Sequence, residues 1–284
     1  MKKIFLLVYV VMIFSLIHQK AMAQFPVGAG RFMLAPTYNY YHASGYWDKN
    51  GLFNSYASAG RFTSNYFGLY GAAGLDRKWE FVFNVPFVVQ TYTDSGRLVQ
   101  NGSLGDITLG LSYYTPMIDP QKHFSVTGSL IIPLYQNIPL PSSLSTVTPP
   151  FVGFQTTGGE LKLDYSGSTE EVWKSSYYVL EAGLRQYFST YGPTQYFASA
   201  TFGTALDDDW KLTGKLGGLS SSSNYIAGST SDGVNRDFSY FRMELGAGRK
   251  VSKATQLYLN IFQDVSGRNI GRGSGFSIFA VIRF

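Results

Sequence analysis

Apolar and polar side chains alternate with a period of two along most of this chain. Leu104 to Tyr114 carries the pattern most cleanly. Ile107, Leu109, Leu111 and Tyr113 fall on one face of an extended segment, and Asp106, Thr108, Gly110 and Ser112 on the other. Successive strand side chains point to opposite faces, so this reads as a sheet with one apolar side. The same alternation predicts strands over Arg31 to Tyr41, Phe62 to Gly71, Trp79 to Tyr92, Phe124 to Leu134, Glu160 to Tyr165 and Ser176 to Phe188. It continues over Gln195 to Thr204, Trp210 to Leu219, Phe238 to Arg249, Gln256 to Val265 and Gly275 to Phe284. The count is about twelve strands of ~10 residues, with no helical period between them.

The connections alternate in length. Leu75 to Lys78, Thr115 to Lys122, Ser166 to Trp173, Asp207 to Asp209 and Val251 to Thr255 are short and polar. His42 to Gly60, Asp94 to Gly102, Gln136 to Thr157 and Ser220 to Asp237 read as longer loops, and Gly267 to Ser274 as a glycine-rich one. Ser189 to Thr194 is short for its place in this scheme. A soluble β-sandwich also buries one face of each strand. The long proline-rich Gln136 to Thr157 segment sits poorly in a compact soluble domain and well on the outer side of a membrane barrel. The fold class is therefore all-β: a transmembrane antiparallel up-and-down β-barrel of about 12 strands, with both chain ends on the periplasmic side.

The first residues belong to a different pattern. Lys2 and Lys3 precede an apolar stretch from Ile4 to Ile17, and Ala21-Met22-Ala23 supplies a small-x-small cleavage site. Residues 1–23 read as a secretory signal peptide and 24–284 as one barrel domain. The remaining chain has no apolar run of helical-span length, which excludes a helical membrane protein but not a barrel. Cysteine is absent, so there is no disulfide framework and no thiol chemistry. The 284 residues include 21 Tyr and 22 Phe, and so much Tyr suits a water–lipid boundary. The formal net charge of +5 drops to about +2 once Lys2, Lys3 and Lys20 are set aside. Nucleic-acid binding thus has no electrostatic support.

The last strand has a wholly apolar face made by Phe276, Ile278, Ala280, Ile282 and Phe284. It resembles the closing strand of bacterial outer-membrane barrels, which ends on Phe and is read by the barrel-assembly machinery. That likeness implies two partners, the assembly machinery and outer-membrane lipid, and an outer-membrane location in a Gram-negative-type bacterium after secretion to the periplasm.

Opposite the apolar face stand Glu80, Asp106, Glu160, Lys162, Asp164, Glu181, Arg185, Lys211, Lys215, Arg242, Glu244, Asp264 and Arg283. In a barrel they face the lumen, because charge on the lipid face is costly. Twelve strands leave a narrow lumen, partly filled by ion pairs. These side chains make a structural polar network or a selectivity filter; alternation alone does not separate the two. Tyr46, Trp47, Phe53 and Tyr56 in one predicted outer loop, with Phe151 and Phe154 in another, are a candidate aromatic gate. Aromatics at that level also serve as headgroup anchors. Pro36, Pro86 and Pro133 each delete a ladder hydrogen bond, and so mark strand bends or gaps in the wall.

Leu104-Gly105-Asp106-Ile107-Thr108-Leu109-Gly110-Leu111-Ser112-Tyr113 resembles the Gly-Asp-x-x-Leu-Gly strand of the outer-membrane barrels named for the phenol meta-cleavage degradation pathway. Tyr70-Gly71, the Leu75 to Trp79 turn, Pro86, and Pro133 followed by Gly158-Gly159-Glu160 are similar to other parts of that family. The resemblance implies a channel for hydrophobic or aromatic compounds.

No catalytic constellation accompanies this pattern. His42 and His123 fall at opposite ends of the barrel, and Gly271 to Gly275 lacks the Gly-x-Ser-x-Gly spacing of a nucleophile elbow. Asp207-Asp208-Asp209 lacks the spaced ligands of a calcium loop. The chain is read as no enzyme, with no cofactor and no metal. The function expected is passive uptake of a small, hydrophobic or aromatic solute. The alternatives are a structural or partner-binding barrel with a closed lumen, and an outer-membrane hydrolase.

Overall fold

The computed structural model describes residues 26–115, 117, 119, 121–135, 152–169, 176–224 and 236–284. The 1–23 segment, Phe151 and much of the two longest loops lie outside the described residues.

Fourteen strands form one antiparallel sheet. They are β1 (Phe32–Trp47), β2 (Phe53–Ser55), β3 (Arg61–Gly74), β4 (Trp79–Asp94), β5 (Arg97–Leu104), β6 (Asp106–Thr115) and β7 (Lys122–Pro133). Then come β8 (Gly158–Ser168), β9 (Ser176–Tyr187), β10 (Thr194–Ala205), β11 (Trp210–Ser222), β12 (Phe238–Lys250), β13 (Thr255–Arg268) and β14 (Ile270–Arg283). Neighbours in sequence pair in space, and β14 returns to pair with β1, so the sheet closes. β2 is a short arm on β1. β5 and β6 follow one another along the same edge of β4. The wall is thus a closed barrel of twelve strands, as the alternation predicts.

Three boundaries differ from the sequence reading. Asp94 to Gly102 is no loop: β4 runs to Asp94 and returns at once as β5, with Asp94 opposite Arg97. β1 continues past Tyr41 to Trp47, and the following segment adds β2 and a short 3-10 turn at Ala57–Ala59. Gly267 to Ser274 is the β13–β14 hairpin, reversed at Asn269 with φ of 53°. Above a bilayer both faces of a strand meet water, so strands there lose the alternation that identifies them.

Leu109, Leu111, Leu130, Leu161, Leu180, Leu245, Leu259 and Ile261 are exposed on the outside. Apolar side chains exposed all around a closed sheet form a band far larger than soluble monomers tolerate, and match a lipid-facing surface. Trp79 and Trp210 stand at the end of this band, each in the last position of a tight turn. In the first turn, Asp76 Oδ1 accepts the backbone N–H of Lys78 at 2.6 Å and of Trp79 at 2.8 Å. In the second, Asp207 Oδ1 accepts those of Asp209 at 2.8 Å and Trp210 at 2.6 Å. Ser252 Oγ plays the same part toward Ala254 and Thr255. The acidic run at Asp207 to Asp209 therefore has a turn-forming role, in keeping with Asp side chains bonding their own backbone two residues on. Among the described residues no group of three or more His, Asp or Glu is placed to hold a metal.

Two prolines coincide with breaks in the ladder. Along β1–β14, pairing jumps from Leu34↔Ile282 to Thr37↔Phe279, skipping Ala35 and Pro36. Pro36 has no N–H to give, and Thr37 Oγ1 donates to the Ala35 carbonyl at 3.3 Å. Along β4, Pro86 lies between the β5 and β6 pairings, where Gly105 donates its N–H to the Pro86 carbonyl at 2.9 Å. A Cβ on Gly105 would stand 3.0 Å from the Pro86 ring, so glycine fits the bulge where a larger residue would press on the proline. At the opposite end of the barrel, Val27 donates its N–H to Glu80, and Gly28 packs on Gly74.

Candidate functional site

Inside the barrel, toward the β5 end, is a cavity of about 750 Å³. Tyr41, Tyr56, Phe62, Tyr66, Phe154 and Tyr240 are in its wall, and Asp106, Arg185, Arg242, Glu244 and Asp264 bring charge to it. A second cavity of about 340 Å³ shares Arg185, Leu219, Tyr240, Arg242 and Glu244 with the first and adds Glu181, Ser199 and Lys215. The shared walls make the two spaces neighbours, with an aromatic vestibule above a charged pocket. A larger concavity of about 1100 Å³ lies elsewhere. Its lining by Tyr40, Leu180, Phe202, Met243, Ile261 and Phe276 places it on the outward face, where lipid chains belong.

The vestibule follows from strand parity near the strand ends. Tyr41 on β1, Phe62 on β3 and Phe262 on β13 all point inward, and their rings meet. Tyr41 and Phe62 are 6.0 Å apart edge-on, and Tyr41 and Phe262 6.4 Å apart nearly parallel. Gly273 on β14 makes room for Tyr41, because a Cβ there would lie 2.2 Å from its ring. Glycine in this strand marks a close approach of neighbours rather than a loop. Tyr56 stacks on Tyr46 at 5.6 Å and meets Tyr92 edge-on at 5.7 Å. Burial pushes the Tyr56 hydroxyl up to about 12, with Tyr92 and Tyr46 adding to the rise, so it stays protonated at neutral pH.

The charged residues below are mostly joined in pairs. Arg185 gives Nε at 3.0 Å and Nη2 at 2.6 Å to Glu160 Oε2, and Nη1 to Gln195 at 3.2 Å. Arg242 gives Nε to Asp264 Oδ1 at 2.7 Å and Nη2 to Oδ2 at 3.3 Å, and lies 4.2 Å from the Phe262 ring centre. Lys162 stands between Asp164 at 3.3 Å and Glu181 at 3.4 Å. Each of these contacts lies within one strand or between two neighbouring strands, and compensates charge along the wall.

Asp106 of the glycine–aspartate strand has a different task. Tyr135 donates to it at 2.9 Å and Tyr187 at 3.3 Å, while Tyr135 Oη accepts the Gln155 N–H at 3.0 Å. Phe154 meets Tyr187 edge-on at 4.8 Å. The carboxylate thus ties the returning end of the long loop, at Phe154 and Gln155, into the vestibule wall.

The structure brings Tyr56 and Phe154 of the predicted gate into the vestibule, with Tyr46 behind Tyr56. Trp47 is buried, its ring against the Gly267 backbone. Phe53 is exposed beneath the Arg272 guanidinium at 4.9 Å. Glu80, Lys211 and Arg283 face the lumen near the other mouth, away from the vestibule. Tyr41, Phe62, Tyr66, Tyr240 and Phe262 escape the sequence reading. Their one legible signal is an aromatic on the polar face near a strand end.

No family model matches the sequence, and no curated protein matches it. Among solved structures the chain is similar to the COG4313 outer membrane channel from Pseudomonas putida F1, with a TM-score of 0.70, 15% identity, and 90% of this chain and 96% of that one covered. It is also similar to the translocator domain of the autotransporter NalP from Neisseria meningitidis, with a TM-score of 0.53, 13% identity and coverages of 90% and 89%. The beta domain of the Bordetella autotransporter Brka follows, with a TM-score of 0.51, 14% identity and coverages of 90% and 99%. At these identities the likeness is one of fold: an outer-membrane-type β-barrel. It bears on the barrel and not on the narrower resemblance of the Leu104 to Tyr113 strand.

Proposed function

We propose that this chain is a passive outer-membrane channel for small solutes, and that the vestibule admits molecules with an apolar or aromatic portion. The observation that carries this reading is an aromatic vestibule lying directly against a charged cavity inside a closed barrel. Ring faces hold a flat apolar group without demanding one hydrogen-bond pattern. The fold it shares with an outer membrane channel supports the same reading, as does the resemblance of Leu104 to Tyr113 to barrels of the phenol meta-cleavage pathway. On this proposal residues 1–23 are removed on export, lipid surrounds the apolar band, and the C-terminal strand is presented to the assembly machinery.

The test is uptake of a small phenol-like solute by proteoliposomes. Tyr56→Ala and Phe154→Ala are expected to lower uptake of the aromatic solute more than that of a sugar of similar size. Loss of neither, in a folded barrel, overturns the assignment of the vestibule. A second route has its own observation: the skipped β1–β14 pairing at Ala35 and Pro36 is a weak place in the wall through which an apolar solute would pass into lipid.

A further inference from the structure

Among the described lumen charges Lys211, Lys215 and Glu244 stand outside the paired network, and the last two lie side by side. Lys215 on β11 and Glu244 on β12 are direct cross-strand partners, and both line the lower cavity. Opposed side chains in an antiparallel pair have Cβ atoms only ~5 Å apart. Even so, neither residue enters a hydrogen bond or an ion pair among the described residues. Their charged neighbours are bonded elsewhere: Arg242 gives Nε and Nη2 to Asp264, Arg185 is held by Glu160 and Gln195, and Glu181 by Lys162.

We infer that Lys215 and Glu244 are the charge-selecting pair of the lumen, facing water and whatever solute passes, and resting on the channel reading above. An ionised group without a protein partner keeps its charge only if water reaches it, so the cavity between these residues is hydrated. The fixed pairs present neutralised charge to the passage, whereas these two present theirs directly. Being opposite in sign and adjacent, they cancel at a distance. The pair therefore sets the balance between cations and anions at this level. Removing one member uncovers the other.

The absence of native cysteine makes two measurements direct. Single cysteines at 215 and 244 in the refolded barrel are expected to react with charged, membrane-impermeant thiol reagents, and a protected thiol at both positions overturns the inference. In planar bilayers under a salt gradient, Glu244→Gln is expected to shift the reversal potential toward anion preference and Lys215→Gln toward cation preference, each changing the permeability ratio severalfold. The exchanged double variant Lys215→Glu with Glu244→Lys is expected to return to the parent value. Labelling with conductance but an unmoved reversal potential overturns the selecting role alone. Labelling with no conductance in any variant overturns the channel reading, and the selecting role with it.

Discussion

Arg242 and Asp264 face each other where the β12–β13 register slips by one residue, and the guanidinium binds both carboxylate oxygens. Asp264 is 1% exposed. Asp264→Ala leaves a half-buried guanidinium uncompensated and is expected to cost about 3 kcal/mol, while Arg242→Met with Asp264→Leu costs much less. Urea unfolding in lipid vesicles measures both. Equal losses would mean that the pair contributes by shape rather than by charge.

The lipid face can be checked with one adjacent pair. Leu109 points outward and is exposed, and Thr108 points into the barrel. Leu109→Arg is expected to destabilise by about 2–4 kcal/mol if it lies near the midplane, and Thr108→Arg by far less. Similar folded yields of the two in vesicles would refute the assigned register.

Pro36→Ala supplies the donor missing from the β1–β14 seam. Slower amide exchange is expected at Phe279 to Ile282 on the facing strand. If apolar solutes leave the barrel there, phenol uptake falls while sugar uptake holds. Unchanged uptake of both returns the route to the lumen axis.

Acid should reveal the turn at Asp76. Backbone N–H groups of Lys78 and Trp79 hold its carboxyl below the usual carboxylate range. A depressed folded value means that the stabilisation is present above the unfolded value and is lost as pH falls through the folded one. The difference in unfolding midpoint between the parent and Asp76→Ala should be constant near neutrality and close in acid below pH ~4. A gap independent of pH would assign the effect to backbone propensity instead.

The sequence made the wall legible and the passage only partly so. Within the membrane, lipid forces every second side chain to be apolar, so Leu212, Leu216, Met243 and Leu245 betray their strands and faces. Nothing forces alternation on Arg97 to Gly102, which reads as loop and folds as strand. Gly271 and Gly273 likewise read as flexible punctuation, though Gly273 is small because the Tyr41 ring lies over it. Inward charges were legible by parity. Which of them would be paired was not, because partners such as Arg185 and Glu160 are set by register, and register is a property of the closed sheet.

The seam that closes the barrel begins at Phe32 and Phe284, which exchange backbone hydrogen bonds at 3.3 and 2.9 Å with their rings 6.3 Å apart. Among the described residues the other wall pairings join strands next to one another in the chain or separated only by the short β2 or β5, and turns such as those at Asp76 and Asp207 can form locally. The β1–β14 contact alone must bring together residues from opposite ends of the sequence, and so carries the largest loop-closure entropy in the fold. Assembly is then a growing ribbon that becomes a ring in a single late event. The entropy of that closure is offset along the whole β1–β14 seam rather than within any hairpin.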